Sequence, residues 1–354
     1  MPRILAGALR ALGGRIFEAL QVPPEAAAWV AELLVRADLV GDDSHGVVCI
    51  PQYAQAIQSA LVQPEATGEV AEESPSMALI NGHGGLGQVV ARGAMELAIR
   101  KAQETRISSV GAYNFHHVGR LADFTRMAAE RDLVGIMMMN GGAPPLVAPF
   151  GGTAGRLSTN PISIAFPTGG AVPFLLDMAT SMVAEGKVRV KRHRGEQLPE
   201  GWLLDHQGRP TTDPNALYQE PRGAILPLGG HAGHKGFGLA MVVEMLSGIL
   251  ARGGHAYQGA NRYTRGTCII VIDISAFVEP SEFRAEIENL LSYVKSAPTA
   301  PGVEAIMYPG EPEAKEQQRR EREGIALDDE TWQQVIAVAQ ELGIHIPAPW
   351  GSYS

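Results

Sequence analysis

Between residues 77 and 139 the hydrophobic period changes four times. Residues 77–81 read as a strand, 88–101 as a helix, 107–113 as a strand, 121–131 as a helix and 133–139 as a strand again. A chain that alternates in this way layers helices on a sheet, which places it in the α/β or α+β class. Shorter apolar strands are expected at 162–166 and 172–176, beyond glycine- and proline-rich loops over 140–161. Helices gather toward both ends. Arg3, Arg10 and Arg15 interrupt the apolar residues of the first turns, as in an amphipathic helix, and 26–40 puts Val30, Leu33, Leu34, Ala37 and Val40 on one stripe. Residues 236–250 form a long apolar helix, 267–274 a strong strand, 281–295 an amphipathic helix, and 311–342 a charged helical tail.

Composition narrows the function classes. With 354 residues, 45% of them hydrophobic and 19% charged, the chain has enough apolar material for a sizeable core. A net charge of -9 argues against nucleic acid, whose phosphates need a basic face, but leaves room for a small anion held by a few local cations. Cys49 and Cys268 are the only cysteines and lie far apart, so a disulfide scaffold is not expected and a reducing, cytoplasmic setting is. No apolar run approaches the ~18 residues that span a bilayer, so no membrane partner is expected.

Gly82, Gly84 and Gly87 satisfy G-x-G-x-x-G between a strand and a helix, the arrangement that seats a dinucleotide pyrophosphate. The following strand ends at Asn114, where an acidic ribose partner would be needed. The plainer reading is a glycine turn that lets helix and strand pack closely, and the cofactor is not assigned there.

Redox chemistry at a carbonyl needs a proton donor, a group to hold a carboxylate and a surface for a nicotinamide. Four loops carry suitable side chains. Asp43-Ser44-His45-Gly46 presents a histidine able to titrate near neutrality, or one that merely caps a turn. The segment His116-His117-Val118-Gly119-Arg120 follows a strand end; its paired histidines suggest metal only weakly, because no firm zinc spacing and no H-E-x-x-H occurs. Asp177 ends an apolar run, where an acid needs a cationic or histidine partner, or serves as a helix cap. The glycine-rich stretch with His231, His234 and Lys235 opens the apolar helix and is suited to an anion.

In this order, "ADLVGDDSHGV", "GLGQVVARGAMELAI", "HHVGRLADF", "VAPFGGTAGRLSTNPISIAFPTG", "LLDMATSMVAEGKV", "LPEGWLLDHQGRPTTDP", "GHKGFGLAMVVEML" and "REREGIALDDETW" resemble the type 2 malate/L-lactate dehydrogenase family over nearly the whole chain, in particular its hydroxycarboxylate dehydrogenase B branch. The resemblance implies a non-Rossmann fold: a mixed, largely antiparallel sheet flanked by helices, plus a helical region built from both termini. It divides the chain into a helical part, 1–70 with 225–354, and a mixed-sheet part, 71–224. It implies a homodimer using NAD or NADP. His45 matches the family's proton donor, with Ser44 and Asp177 as the relay that orients and charges it. His117 matches a second histidine, assigned to cofactor contact or to proton transfer. Cofactor contacts are implied at His117, Gly119 and Arg120, at Leu176, Asp177, Met178 and Ala179, and at His234, Lys235, Gly310 and Glu311. Thr159 and Asn160 match a loop lining the substrate side.

One position departs from the pattern. Many members carry an arginine for the substrate carboxylate where this chain has Cys49, and a thiol cannot form that bidentate pair. Arg120 or Lys187 is the expected replacement, unless the substrate itself differs. "GGHAGHKG" is also longer than the usual "GGHKG". The resulting expectation is an NAD(P)-dependent enzyme that interconverts a small 2-hydroxy acid and its 2-oxo acid. The rivals are an imino-acid reductase, a ureidoglycolate- or sulfolactate-type dehydrogenase, or, from another class, a metal-dependent hydrolase or a ligand-binding protein.

Overall fold

The computed structural model describes residues 2–141, 145–256 and 265–346. The chain begins with β1 (Arg3–Ile4), α1 (Ala6–Ala19), α2 (Pro24–Leu39) and α3 (Ile50–Gln58), and ends with α9 (Glu311–Glu323), β12 (Ile325–Ala326) and α10 (Asp329–Glu341). The two ends join because β1 pairs antiparallel with β12, and because Leu12, Ile16, Phe17, Leu34 and Tyr53 share one core with Trp332, Val335 and Ala339. The helical region built from both termini is thus a single packed unit.

A seven-stranded sheet occupies the middle. Its strands are β2 (Glu69–Glu73), β3 (Met77–Gly85), β4 (Ile107–Phe115), β5 (Leu133–Met139), β6 (Ile162–Phe166), β7 (Phe174–Met178) and β11 (Gly266–Asp273), in the order β2-β3-β4-β11-β5-β6-β7. Only β3 and β4 run parallel; the other neighbours are antiparallel, so the sheet is mixed and largely antiparallel, as expected. Period-two alternation sends Met137, Met139, Ile269 and Val271 to the face covered by α4 (Gly87–Thr105) and α5 (Ala122–Ala129). Met138 and Cys268 point to the other face, against Val243. β11, which the sequence division puts with the helical part, lies at the centre of the sheet. Residues 266–273 pair with both β4 and β5 and are mostly buried there.

A smaller layer completes the molecule: α6 (Glu185–His193), the three-stranded sheet of β8 (Leu203–Leu204), β9 (Pro210–Thr211) and β10 (Ala224–Ile225), and a third core around Val147, Val188, Leu203 and Ile225. The apolar helix at 236–250 is α7 (Gly233–Val243), which widens into a π-helix over Glu244–Leu250. The tail is not one helix, because the glycine at 324 (φ 79°) and β12 break it into α9 and α10; α8 (Pro280–Lys295) follows its expected bounds closely. The glycines of the G-x-G-x-x-G turn have a packing role. A Cβ on Gly87 would stand 2.2 Å from the carbonyl oxygen of His116, so only glycine lets α4 begin against the 116–117 backbone.

Candidate active site

The His45 loop is built by the terminal helices. Asp38, buried in α2, accepts the backbone N–H of Val47 at 2.9 Å, and Gly46 leaves room for its carboxylate: a Cβ there would lie 1.7 Å from Oδ1. From α9, Arg320 donates to the Asp38 carbonyl at 2.7 Å and also to the Asp43 carboxylate. The loop therefore folds as two short 3-10 turns, Asp43–His45 and Val47–Cys49, gripped from both ends of the chain.

Within this loop the His45 ring meets Asp42 Oδ2 through Nδ1 at 3.1 Å and Ser44 Oγ at 3.0 Å, and the Ser44 hydroxyl donates to Asp42 Oδ1 at 3.1 Å. Both partners sit on Nδ1, which leaves Nε2 for a substrate. Burial opposes a charge on the ring. The Asp42 hydrogen bond and charge, followed by the charge of Asp177, outweigh it, so the His45 pKa is raised. Asp42 is correspondingly held below the usual carboxylate range: the His45 hydrogen bond and charge and the Arg120 guanidinium overcome its own burial.

His117 stacks on His45 with ring centres 5.5 Å apart and 19° between planes. Its Nδ1 lies 2.7 Å from the Tyr53 hydroxyl, whose oxygen accepts from Gln88 Nε2 at 2.9 Å. Gln88 fills one acceptor position of the phenol oxygen, which leaves the Tyr53 O–H able to donate to His117 Nδ1; in that arrangement the ring's remaining proton resides on Nε2. Burial, then Arg265 and then His45 push the His117 pKa well below the ordinary value. Burial and Arg265 likewise bring His116 down to about 3. Stacked imidazoles with pKa values driven apart are suited to different tasks, one as a proton donor and the other as a neutral hydrogen-bond donor.

Two clefts meet at His45. One, of about 760 Å³, is lined by His117, Cys49, Arg189 and Arg265; the other, of about 540 Å³, by Arg120, Leu176, Asp177, Met178, Ala179 and Gly310. His45, Gly119 and Thr159 belong to both. The second cleft runs along β7, an edge strand paired only with β6. The free side of such a strand offers backbone donors and acceptors to a ligand amide.

Several sequence expectations take a different form. Asp177 accepts the Ala122 N–H at 2.7 Å and reaches His45 only by its charge; the carboxylate in contact with the imidazole is Asp42. Burial pushes Asp177 up to about 6, against the pull of Arg120. Arg120 is enclosed between Asp42 at 3.8 Å and Asp123 at 3.7 Å, so it is not a spare cation for a substrate carboxylate. Lys187 lines the second cleft, to which Cys49 does not belong. Cys49 lines the first; burial raises its thiol to about 12, which keeps it neutral.

Asn160 is fully buried. Its amide donates to Ala240 O at 3.1 Å and to Glu244 at 2.7 Å and accepts from Gly141 N at 3.2 Å, so it anchors the loop that carries Thr159 and does not itself line either cleft. His234 and Lys235 are exposed at the start of α7, with the His234 ring against Phe150, and neither lines either of these two clefts. Glu311 bonds Lys295 at 2.5 Å and Tyr308 N at 3.1 Å, and Glu313 takes its place at the cleft wall. Sequence reading missed Asp42, Tyr53, Gln88, Arg189 and Arg265. Asp42 was within sight, three residues before His45 in one loop; the others are joined to the site only by long-range folding.

The two clefts thus meet at one histidine whose proton affinity is raised, one cleft bordered by Arg189 and Arg265 and the other by an edge strand. The chain belongs to the malate/L-lactate dehydrogenase family, whose model matches residues 4–336. It is 40% identical to malate dehydrogenase of Pyrococcus horikoshii over 338 residues, covering 93% of this chain and 92% of that one. It is 33% identical to hydroxycarboxylate dehydrogenase B of Escherichia coli over 334 residues, 93% of this chain and 91% of the relative. Among solved structures, sulfolactate dehydrogenase from Methanocaldococcus jannaschii superimposes with a TM-score of 0.87 at 35% identity, covering 97% of this chain and 98% of that chain.

Proposed function

We propose that the protein is a nicotinamide-dependent oxidoreductase that interconverts a small 2-hydroxy acid and its 2-oxo acid, using NAD or NADP. The observation that carries this reading is the placing of His45, whose proton affinity Asp42 raises, at the junction of the two clefts. The second cleft fits a nicotinamide nucleotide. Beside the β7 edge, Gly119 (φ 83°) has nothing within 4 Å of where a Cβ would stand, and Lys187 adds a cation suited to a phosphate. Gly119, Arg120, residues 176–179 and Gly310 would hold the cofactor there.

When bound, a reduced nicotinamide supplies the hydride for the carbonyl carbon. His45 Nε2 gives the proton to the developing alkoxide, and Asp42 stabilises the imidazolium before transfer. The neutral His117 donates an Nε2–H hydrogen bond toward the same oxygen or the adjacent carboxylate. Asp177 adds negative potential without contact. A positioned acid of this kind contributes ~100- to 10,000-fold.

Other observations support the wider reading. Val242, Met245, Ile249 and Leu250 are exposed on one helical run near exposed Met77, an apolar surface suited to a homodimer contact. Cys49 and Cys268 are buried free thiols, consistent with a reducing cytoplasm. Among the described residues, no helix is long and apolar enough to cross a membrane.

The test is single-turnover reduction of 2-oxo acids at saturating NADH or NADPH, with His45→Ala beside the unmodified enzyme. Hydride transfer falls at least ~100-fold in the variant while cofactor binding, read by nicotinamide fluorescence, is retained. An unchanged rate removes His45 from the chemistry.

A further inference from the structure

α9 has almost nothing apolar to bury. Its only apolar side chains are Pro312 and Ala314, and none of its residues is fully buried. A helix without an apolar stripe keeps its place mainly through charge and hydrogen bonds. At its start, the Pro309 carbonyl accepts the Leu175 N–H at 2.9 Å, and Lys295 bonds Glu311. Further along, it lies across the turn that leaves α2 and leads to His45. The stem of Glu316 rests on Gly41 (φ 86°), where a Cβ would come within 3.1 Å of the glutamate Cγ.

Arg320 makes the attachment to that turn. Every edge of its guanidinium is used. Nε bonds Glu316 at 2.5 Å, Nη1 bonds the Asp38 carbonyl at 2.7 Å and the Asp43 carboxylate, and Nη2 stands 3.4 Å from the second Asp43 oxygen. The Asp38 carbonyl is among the last of α2, so the guanidinium satisfies a helix-end acceptor and faces the negative end of the helix dipole. Asp43 opens the short turn that carries His45, and the Gly46 N–H closes onto its carbonyl at 3.2 Å. One cation from near the end of the chain thus joins the last turn of α2 to the turn that presents the imidazole.

The charge matters as well as the fork. Asp38, Asp42 and Asp43 place three carboxylates within six residues. Asp42 is answered by His45 and by Arg120 at 3.8 Å, and Asp43 by Arg320. Burial raises the Asp38 pKa well above the ordinary value, the Val47 hydrogen bond opposes this, and Arg320 offsets the like charge of Asp43. Without Arg320, Asp43 faces two other acids in the loop that must hold the imidazole still.

We propose that Arg320 is a positioning residue for the proton donor: through Asp43 and the end of α2 it fixes the loop that carries His45. The task of His45 rests on the dehydrogenase reading above; the grip on the loop rests on the contacts alone. Arg320 lines neither cleft, so its removal acts on the rate of transfer and not on ligand affinity.

The experiment measures single-turnover reduction of 2-oxo acids and amide hydrogen exchange over residues 43–49 in the full-length enzyme. The variants are Arg320→Gln, Arg320→Lys, Asp43→Asn and the double Arg320→Gln/Asp43→Asn. Arg320→Gln slows hydride transfer at saturating nicotinamide by ~10- to 100-fold, with nicotinamide affinity changed by less than about threefold. Exchange across the loop speeds up by ~10-fold or more. Arg320→Lys recovers part of both, because the charge returns without the fork. Asp43→Asn shows a smaller loss of the same kind, and the double variant stays within about threefold of Arg320→Gln, because the pair acts as one contact. Arg319→Gln, whose guanidinium bonds Glu316 and Glu323 in α9 itself, stays near the unmodified enzyme. Transfer and loop exchange both within about threefold of the unmodified enzyme in Arg320→Gln overturn the assignment, as does a loss confined to nicotinamide affinity. If Arg320→Gln does not fold, Asp43→Asn decides: slower transfer with faster loop exchange supports the assignment, and neither overturns it. Reduction of no 2-oxo acid with either nicotinamide overturns the dehydrogenase reading, and loop exchange in the same variants still judges the grip of Arg320.

Discussion

Asp42→Asn separates the carboxylate that touches His45 from the one that only faces it. Asp42 Oδ2 is 3.1 Å from His45 Nδ1, and both side chains are about one-quarter exposed, 29% and 26%. At an effective dielectric of ~20, two charges at that distance attract by ~5 kcal/mol, before the cost of removing both from water. A hydrogen bond to a charged group retains about 1.5–3 kcal/mol of such attraction. At ~1.36 kcal/mol per pH unit, losing it moves the imidazole's titration down by about one to two pH units. His45 must be protonated to donate, so the rate of 2-oxo acid reduction falls as pH rises through its pKa. Asp42→Asn therefore brings that fall to lower pH, and in the oxidation direction it extends activity toward acid by the same amount. Asp177→Asn, with no direct contact to the ring, moves the limb by a fraction of this. The assay is kcat against pH from 5 to 9 at saturating cofactor, paired with an NMR titration of the histidine. A limb that stays in place in Asp42→Asn but shifts by a full unit in Asp177→Asn would refute the reasoning and restore Asp177 as the direct partner.

Asp177 also governs stability. Its pKa of about 6 lies above the usual 3.8, so its favourable contribution is complete below pH ~4 and lost as pH rises through 6. Denaturant unfolding should show Asp177→Asn more stable than the unmodified enzyme by ~1–2 kcal/mol at pH 7.5 and indistinguishable at pH 4, with turnover reduced. Gly46→Ala forces a Cβ to within 1.7 Å of Asp38 Oδ1 and should cost ~3 kcal/mol or more, with the urea midpoint and turnover falling together. Tyr53→Phe keeps the buried ring but strands Gln88 and frees His117 Nδ1; it should cost ~1–2 kcal/mol and ~10-fold in kcat, and histidine NMR should show a mixed His117 tautomer.

The sequence by itself determined the periodic elements, the helices at both ends and the loops that carry chemistry. His45, His117, Gly119, Thr159 and Asp177 share the two clefts because each lies at an element end or tight turn, where glycine and polar residues are visible without coordinates. Tertiary structure alone decided which side chains meet. Asp42 and Asp177 flank His45 from segments 135 positions apart, and only packing shows that the nearer one makes the contact. Arg189 and Arg265 come from separate layers, and Asn160, so polar in sequence, is consumed in three hydrogen bonds. Local pattern reports a residue's own backbone preference and face. Charge pairing, tautomer and cleft lining depend on distances across the fold, and those arise only when the sheet and the terminal helices close on one another.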